Sequence, residues 1–138
     1  MDREEILDTT AQQPLVDKNA TPRELAEAIV TVLDAKKARN IKLLYVEKQT
    51  SITSYFVLCT ANSRTQVRAF IDEIEYKLSL SGILPDHIEG VDASGWMLID
   101  YGSVIVHVFS REAREFYNLE KLYAENSEMD ITGLLKED

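Results

Sequence analysis

Cysteine is nearly absent from this 138-residue chain, and phosphate-cradling glycine patterns, long apolar runs and a surplus of basic charge are all missing. Cys59 is its single cysteine, so no disulfide can form within the chain and a reducing compartment, the cytoplasm, is the expected setting. Preceded by Val57 and Leu58, that thiol reads as a small apolar side chain buried in a strand. No stretch approaches the roughly 18 apolar residues of a membrane span, and the opening Met1-Asp2-Arg3-Glu4-Glu5 is acidic, so neither membrane insertion nor secretion is expected. The five glycines, at 82, 90, 95, 102 and 133, never stand two apart, which excludes a dinucleotide turn or a P-loop. The formal net charge is −9 and is concentrated at the ends: residues 1–21 hold five acids and two bases, and residues 119–138 hold six acids and two bases. The remaining middle has a net charge of −2, so no long-range basic field would draw in a phosphate backbone, and direct nucleic-acid binding is not expected.

What is present is the composition of one globular domain, 45% hydrophobic and 28% charged. Residues 1–20 show no sustained period and read as a flexible lead-in. Thr21-Pro22-Arg23-Glu24 combines an N-cap hydroxyl, a proline at the first helical position and a glutamate at N3. It predicts a helix whose stripe Leu25, Ile29, Leu33, with Ala26 and Val30, runs towards Ala38 and stops by Asn40. The basic cluster Lys36, Lys37, Arg39 and Lys42 then reads as cations at that helix's C-terminus. Ile41–Val46 and Tyr55–Thr60 read as two strands, and Ser63-Arg64-Thr65-Gln66 as a second capping box that opens a helix ending near Gly82.

Beyond Pro85 the pattern predicts a weak strand near His87–Glu89, then two strands, Trp96–Tyr101 and Val104–Phe109, joined by the Gly102-Ser103 turn. That turn fixes a register in which Trp96 faces Phe109, Leu98 faces His107 and Asp100 faces Ile105. One face of the hairpin then carries Met97, Ile99, Tyr101, Val104, Val106 and Val108. The other carries Trp96, Leu98, Ile105 and Phe109, with Asp100 and His107 set among them. A last helix is expected over Arg111–Tyr123, with Phe116, Leu119, Leu122 and Tyr123 on one side. The acidic tail 124–138 is expected to have little to bury. The element order predicts a single mixed α/β domain, an about five-stranded mixed sheet with packed helices.

Catalytic constellations are thin. One cysteine and two histidines, His87 and His107, do not make a zinc set without recruited carboxylates. Glu73 and Glu75 point about 200° apart on their helix, and no carboxylate pair at an interval of two lies on a strand between 41 and 109. Asp100, Ser103 and His107 come near one another across the hairpin, which leaves a small nucleotidyl transferase or hydrolase as the alternative reading. Large aromatic side chains on a partly solvated sheet face are instead the usual anchors of a protein contact.

Several segments carry a family resemblance: Ser54-Tyr55-Phe56-Val57-Leu58-Cys59-Thr60, Thr65-Gln66-Val67-Arg68-Ala69, Glu89-Gly90, the run from Trp96 to Phe109, and Arg114-Glu115-Phe116-Tyr117-Asn118-Leu119-Glu120. Together they resemble the ribosomal silencing factor family, also called RsfS or Iojap, across residues 21–123. The resemblance implies a nucleotidyltransferase-like fold without that fold's catalytic carboxylates, no enzyme activity and no cofactor or metal. It also implies a homodimer that binds the large ribosomal subunit through ribosomal protein fourteen, blocks subunit joining and lowers translation when nutrients are scarce. Carried over by position, it places Trp96, Leu98, Asp100, Tyr101 and His107 on the partner surface, supported by Arg114, Tyr117 and Glu120. Four positions depart from the family's usual residues: Ser54 and Ser103 stand for aspartate, Ala61 for glycine and Tyr123 for tryptophan.

Overall fold

The computed structural model of the chain describes residues 15–123 and 127–136; the lead-in expected over residues 1–20 falls outside them as far as residue 14. Helix α1 (Pro22–Ala35) starts as its capping box dictates, with Thr21 Oγ1 accepting from the Glu24 amide and Glu24 Oε1 from the Thr21 amide. It stops at Ala35, and Lys37 then takes a left-handed φ of 66°. The basic cluster is therefore split: Lys36 is the C-cap of the helix and Lys37 follows it, whereas Arg39 and Lys42 already belong to strand β1 (Arg39–Tyr45). Strand β2 (Tyr55–Ala61) leads into helix α2 (Arg64–Ser79). Ser63 caps its Gln66 amide, while the Gln66 side chain reaches one residue further back, to the Asn62 amide.

Strands β3 (His87–Val91), β4 (Trp96–Asp100) and β5 (Val104–Ser110) follow, and the hairpin register is the predicted one, Trp96 to Phe109 through Asp100 to Ile105. The sheet has six strands rather than about five, in the order β3-β4-β5-β2-β1-β6, with β2 and β5 parallel and all other pairs antiparallel. The additional strand, β6 (Glu128–Met129), comes from the acidic tail. An outer strand leaves a row of backbone donors and acceptors unpaired, and Glu128 and Met129 fill part of that row on β1 opposite Leu44 and Leu43. The tail thus has something to bury after all: Ile131 joins the core, and the Lys136 amide donates to Asp34 Oδ2 at 2.9 Å.

Helices α1 and α2 cover one sheet face, burying Val57, Cys59, Met97, Ile99, Val106 and Val108 beneath them. Burial pushes the Cys59 thiol up to about 12, as an inert core thiol requires. The other face holds a smaller cluster of Leu44, Val46, Phe56, Leu58, Ile105 and Phe109. Only two short helices lie over it, α3 (Arg111–Tyr117) and α4 (Leu119–Tyr123). The single expected helix over 111–123 is broken at Asn118, which adopts φ 48° and ψ 51°, a left-handed conformation asparagine tolerates better than most residues. The break turns Leu119 and Tyr123 onto the sheet and leaves Phe116 and Leu122 exposed, so the four do not share one side.

Gly90 sits opposite Met97 with φ 95°, and a Cβ there would lie 2.4 Å from the Trp96 carbonyl oxygen. Gly90→Ala should therefore destabilise the fold by about 1–3 kcal/mol, read as a lower urea midpoint at unchanged slope.

Candidate functional site

The uncovered half of the second sheet face is the candidate site, and register decides what it shows. Side chains alternate across the sheet, so Trp96, Leu98 and Asp100 of β4 share this face with their β3 partners Val91, Glu89 and His87. Trp96 stands at the centre. Its ring stacks on Phe109 at a centroid distance of 5.2 Å, and Tyr117 of α3 leans on it at 4.5 Å. Its approach is set by Gly95, whose φ of 79° and missing Cβ let the chain pass Ser110; an added Cβ would meet Ser110 Oγ at 2.6 Å. The Ser110 amide donates to the Gly95 carbonyl at 2.7 Å, tying the start of β4 to the end of β5.

Beneath Trp96 lies His107, with 5% of its surface exposed. The indole Nε1–H donates to its Nδ1 at 3.2 Å, and its ring packs edge-on against Phe56 and parallel to Phe109. Burial pushes the imidazole down to about 4, so it is neutral at neutral pH. Asp100 is half-buried; its Oδ1 accepts from the Gly102 amide at 2.7 Å, closing the hairpin turn. Its Oδ2 lies 3.7 Å from His87 Nε2, which is 2.7 Å from Glu89 Oε2. The open face is thus an apolar centre with an acidic margin.

Arg114 and Glu120 belong to the frame. Arg114 is 8% exposed; its Nη1 donates to the Asn40 carbonyl at 2.6 Å and to Thr60 Oγ1 at 2.9 Å, and its Nε donates to Glu120 Oε1 at 2.9 Å. Lys42 Nζ approaches Glu120 Oε2 at 2.9 Å. The Arg114 guanidinium first, with help from Lys42, holds the Glu120 carboxyl down at about 2. Tyr101 does not join the others. It packs against the core of the helix-covered face, where burial pushes its phenol up.

The structure therefore brings Trp96, Leu98, Asp100 and Tyr117 to one open surface, sets His107 under it, makes Arg114 and Glu120 its frame and turns Tyr101 away. Among the described residues no hydrogen bond joins any two of Asp100, Ser103 and His107, and no group of three or more His, Cys, Asp or Glu side chains is placed to hold a metal. Val91, exposed opposite Trp96, and Phe116, exposed beside Tyr117 with ring centroids 5.0 Å apart, extend the surface. Val91 was legible only by carrying the β3 pattern two residues past Glu89. Phe116 gave no signal, because an unbroken helix would have buried it. A cleft of about 650 Å³ opens beside Tyr117, lined by Arg64, Ser110 and Phe116 among others.

A family model described as ribosomal silencing factor during starvation matches residues 19–138. The chain belongs to the ribosomal silencing factor family. It is 34% identical to the ribosomal silencing factor RsfS of Halalkalibacterium halodurans over 113 residues, 82% of this chain and 97% of the relative. It is 35% identical to the Bacillus subtilis RsfS over 79% of this chain and 92% of the relative. A crystal structure of a Chromobacterium violaceum protein superposes with a TM-score of 0.73 at 28% identity, covering 76% of this chain and 88% of that one. A Bacillus halodurans crystal structure gives 0.65 at 37% identity, covering 72% and 93%. Among the described residues no helix is long and apolar enough to cross a membrane.

Ser54 and Ser103 are neighbours through the backbone, the Ser54 amide donating to the Ser103 carbonyl at 3.2 Å.

Arg114→Ala strands the Asn40 carbonyl and leaves the Glu120 carboxylate to Lys42 alone. Because Glu120 retains solvent contact, the expected loss is about 2 kcal/mol, below the 3–5 of a fully buried pair, read by chemical denaturation. The His107 shift has a defined sign. Between its ordinary value of 6.5 and the folded value of about 4, the unfolded chain takes up the proton and the folded chain does not. Its stabilisation is complete above that window and shrinks as pH falls through it. His107→Asn should flatten this part of the melting-temperature profile relative to the parent.

Proposed function

We propose that this protein binds the large ribosomal subunit through ribosomal protein fourteen, occupies the surface that meets the small subunit, and so prevents the two from joining when nutrients are limiting. The observation that carries the reading is the uncovered, acid-rimmed aromatic patch of Trp96, Leu98, Asp100 and Tyr117, in a chain of the ribosomal silencing family. A patch of this composition suits a basic protein partner: the rings supply area with few rotors to freeze, and the acidic margin and net charge of −9 favour encounter. Binding is the whole activity in this reading, with no bond made or cut. His107 is committed to Trp96 and Asp100 to the Gly102 amide, so the imidazole and the carboxylate that a hydrolase reading would pair are each engaged elsewhere. The protein acts in the cytoplasm, as a homodimer.

Co-sedimentation with isolated large subunits, beside intact ribosomes, tests the proposal. Pelleting with large subunits and inhibition of reassociation are expected; free reassociation in excess protein sinks it. Trp96→Ala should weaken binding by about 2 kcal/mol or more, roughly 30-fold. Light scattering of the same variant separates partner contact from self-association, since a loss of both would make the patch a dimer surface. Association should also slow as salt rises.

A further inference from the structure

Trp96 is the only tryptophan in the chain, and its one polar side-chain atom points inward. We propose that His107 is a positioning residue: its buried Nδ1 takes up the indole N–H and fixes the ring, so that the docking face offers ring carbon, and the partner meets it with an aliphatic side chain rather than a hydrogen-bond acceptor. The inference rests on the docking face proposed above, and it assigns His107 to the support of that face rather than to the contact.

The geometry follows from register. Leu98 pairs with His107 and Trp96 with Phe109, so Trp96 and His107 are diagonal neighbours on one face, a separation that long or aromatic side chains span. Phe109 stacks under the indole and Tyr117 leans on it from α3, but neither ring supplies an acceptor for its N–H. His107 supplies the acceptor only in one protonation state. With Nδ1 accepting, a neutral imidazole carries its proton on Nε2, a buried atom to which the described residues supply no partner. The flipped tautomer would point two N–H groups at one another and free the indole. Phe56, edge-on to His107 at 5.0 Å, and Leu58 line β2 on this face with no charge to favour an imidazolium.

The consequence for recognition is chemical. An indole whose N–H is free rewards a partner carbonyl or carboxylate, whereas an indole whose N–H is already used presents a neutral apolar plate. Polar selection then falls to the margin, where Asp100 and Glu89 are the acceptors. The patch thus divides its tasks: aliphatic contact at Trp96 and Leu98, cation recognition at the β3–β4 edge.

Nitrogen-15 NMR of the full chain tests this on the unaltered protein. With two histidines and one tryptophan, every side-chain ring resonance is assignable. His107 should show the Nε2–H tautomer at neutral pH, and the indole N–H should exchange slowly; an Nδ1–H tautomer or a fast-exchanging indole overturns the proposal. Two variants add the functional arm. His107→Asn retains an acceptor near the Nδ1 position and should keep the indole signal, the emission maximum and large-subunit affinity within about 3-fold. His107→Phe keeps a ring of similar size without an acceptor. It should shift the indole signal, move the tryptophan emission to the red and weaken binding by roughly 10-fold, the size of one hydrogen bond's contribution to orientation. Equal losses in both folded variants, or an unchanged indole in His107→Phe, refute it. Should the unaltered protein fail to bind large subunits while the indole measurements come out as expected, the docking reading falls and the His107–Trp96 arrangement stands.

Discussion

A single guanidinium decides how the second layer of this protein sits on its sheet. Arg114 reaches from α3 to the Asn40 carbonyl on β1 and the Thr60 hydroxyl on β2, then back to Glu120 on α4, so one side chain joins two strands and two helices. A planar cation with several fixed donors can do this where a lysine could not. The left-handed turn at Asn118 brings Glu120 round to it, with the Asn118 amide donating to the Arg114 carbonyl at 3.0 Å. Short helices of seven and five residues have little intrinsic stability. They hold because one buried charge and a few apolar side chains, Ala113, Leu119 and Tyr123, fasten them down.

That fastening also determines what stays open. Helices α3 and α4 are anchored towards β1 and β2, on the β6 side of the sheet, and they leave β4 and β3 uncovered. Tyr117, the last residue of α3, ends against Trp96, where the covered and uncovered regions meet. A larger second layer would bury Trp96 and Leu98 as core. The same alternation of side chains that makes the opposite face of β4 a conventional core therefore makes this face a surface, and the position of a short helix is what separates the two outcomes.

Much of this was legible in the residues because it follows from local rules. Capping boxes at Thr21 and Ser63 set helix starts, and the Gly102-Ser103 turn set a register that assigned every side chain of β4 and β5 to a face. The parts that were not legible depend on distant partners. β6 is two residues long and exists because β1 has an open edge. The basic cluster looks like a helix terminus until α1 stops early and Lys42 finds Glu120 across the sheet. Arg114 was expected to support the partner surface, and its place in the frame was not legible, since nothing nearby in sequence announces Asn40 or Thr60. Tyr101 is instructive in the other direction: alternation alone put it on the helix-covered face, while the family resemblance put it on the partner surface, and its side chain follows alternation.

A protein that acts by occupying a surface, as proposed for this one, gains affinity by fixing its contact groups before the partner arrives, because freezing side chains on association costs free energy. The patch meets that requirement through its own folding interactions. Phe109 supports the indole from below, Tyr117 limits it from the side, and the buried imidazole takes its only polar atom. Asp100 is held by the backbone of its own hairpin. The residues least constrained by the fold, Phe116 and Val91, lie at the periphery, where adjustment on contact costs least, and the rigid ones lie at the centre, where hot spots concentrate. The features that deny His107 a role in proton transfer, its burial and its hydrogen bond to Trp96, are thus the ones that make it useful for recognition.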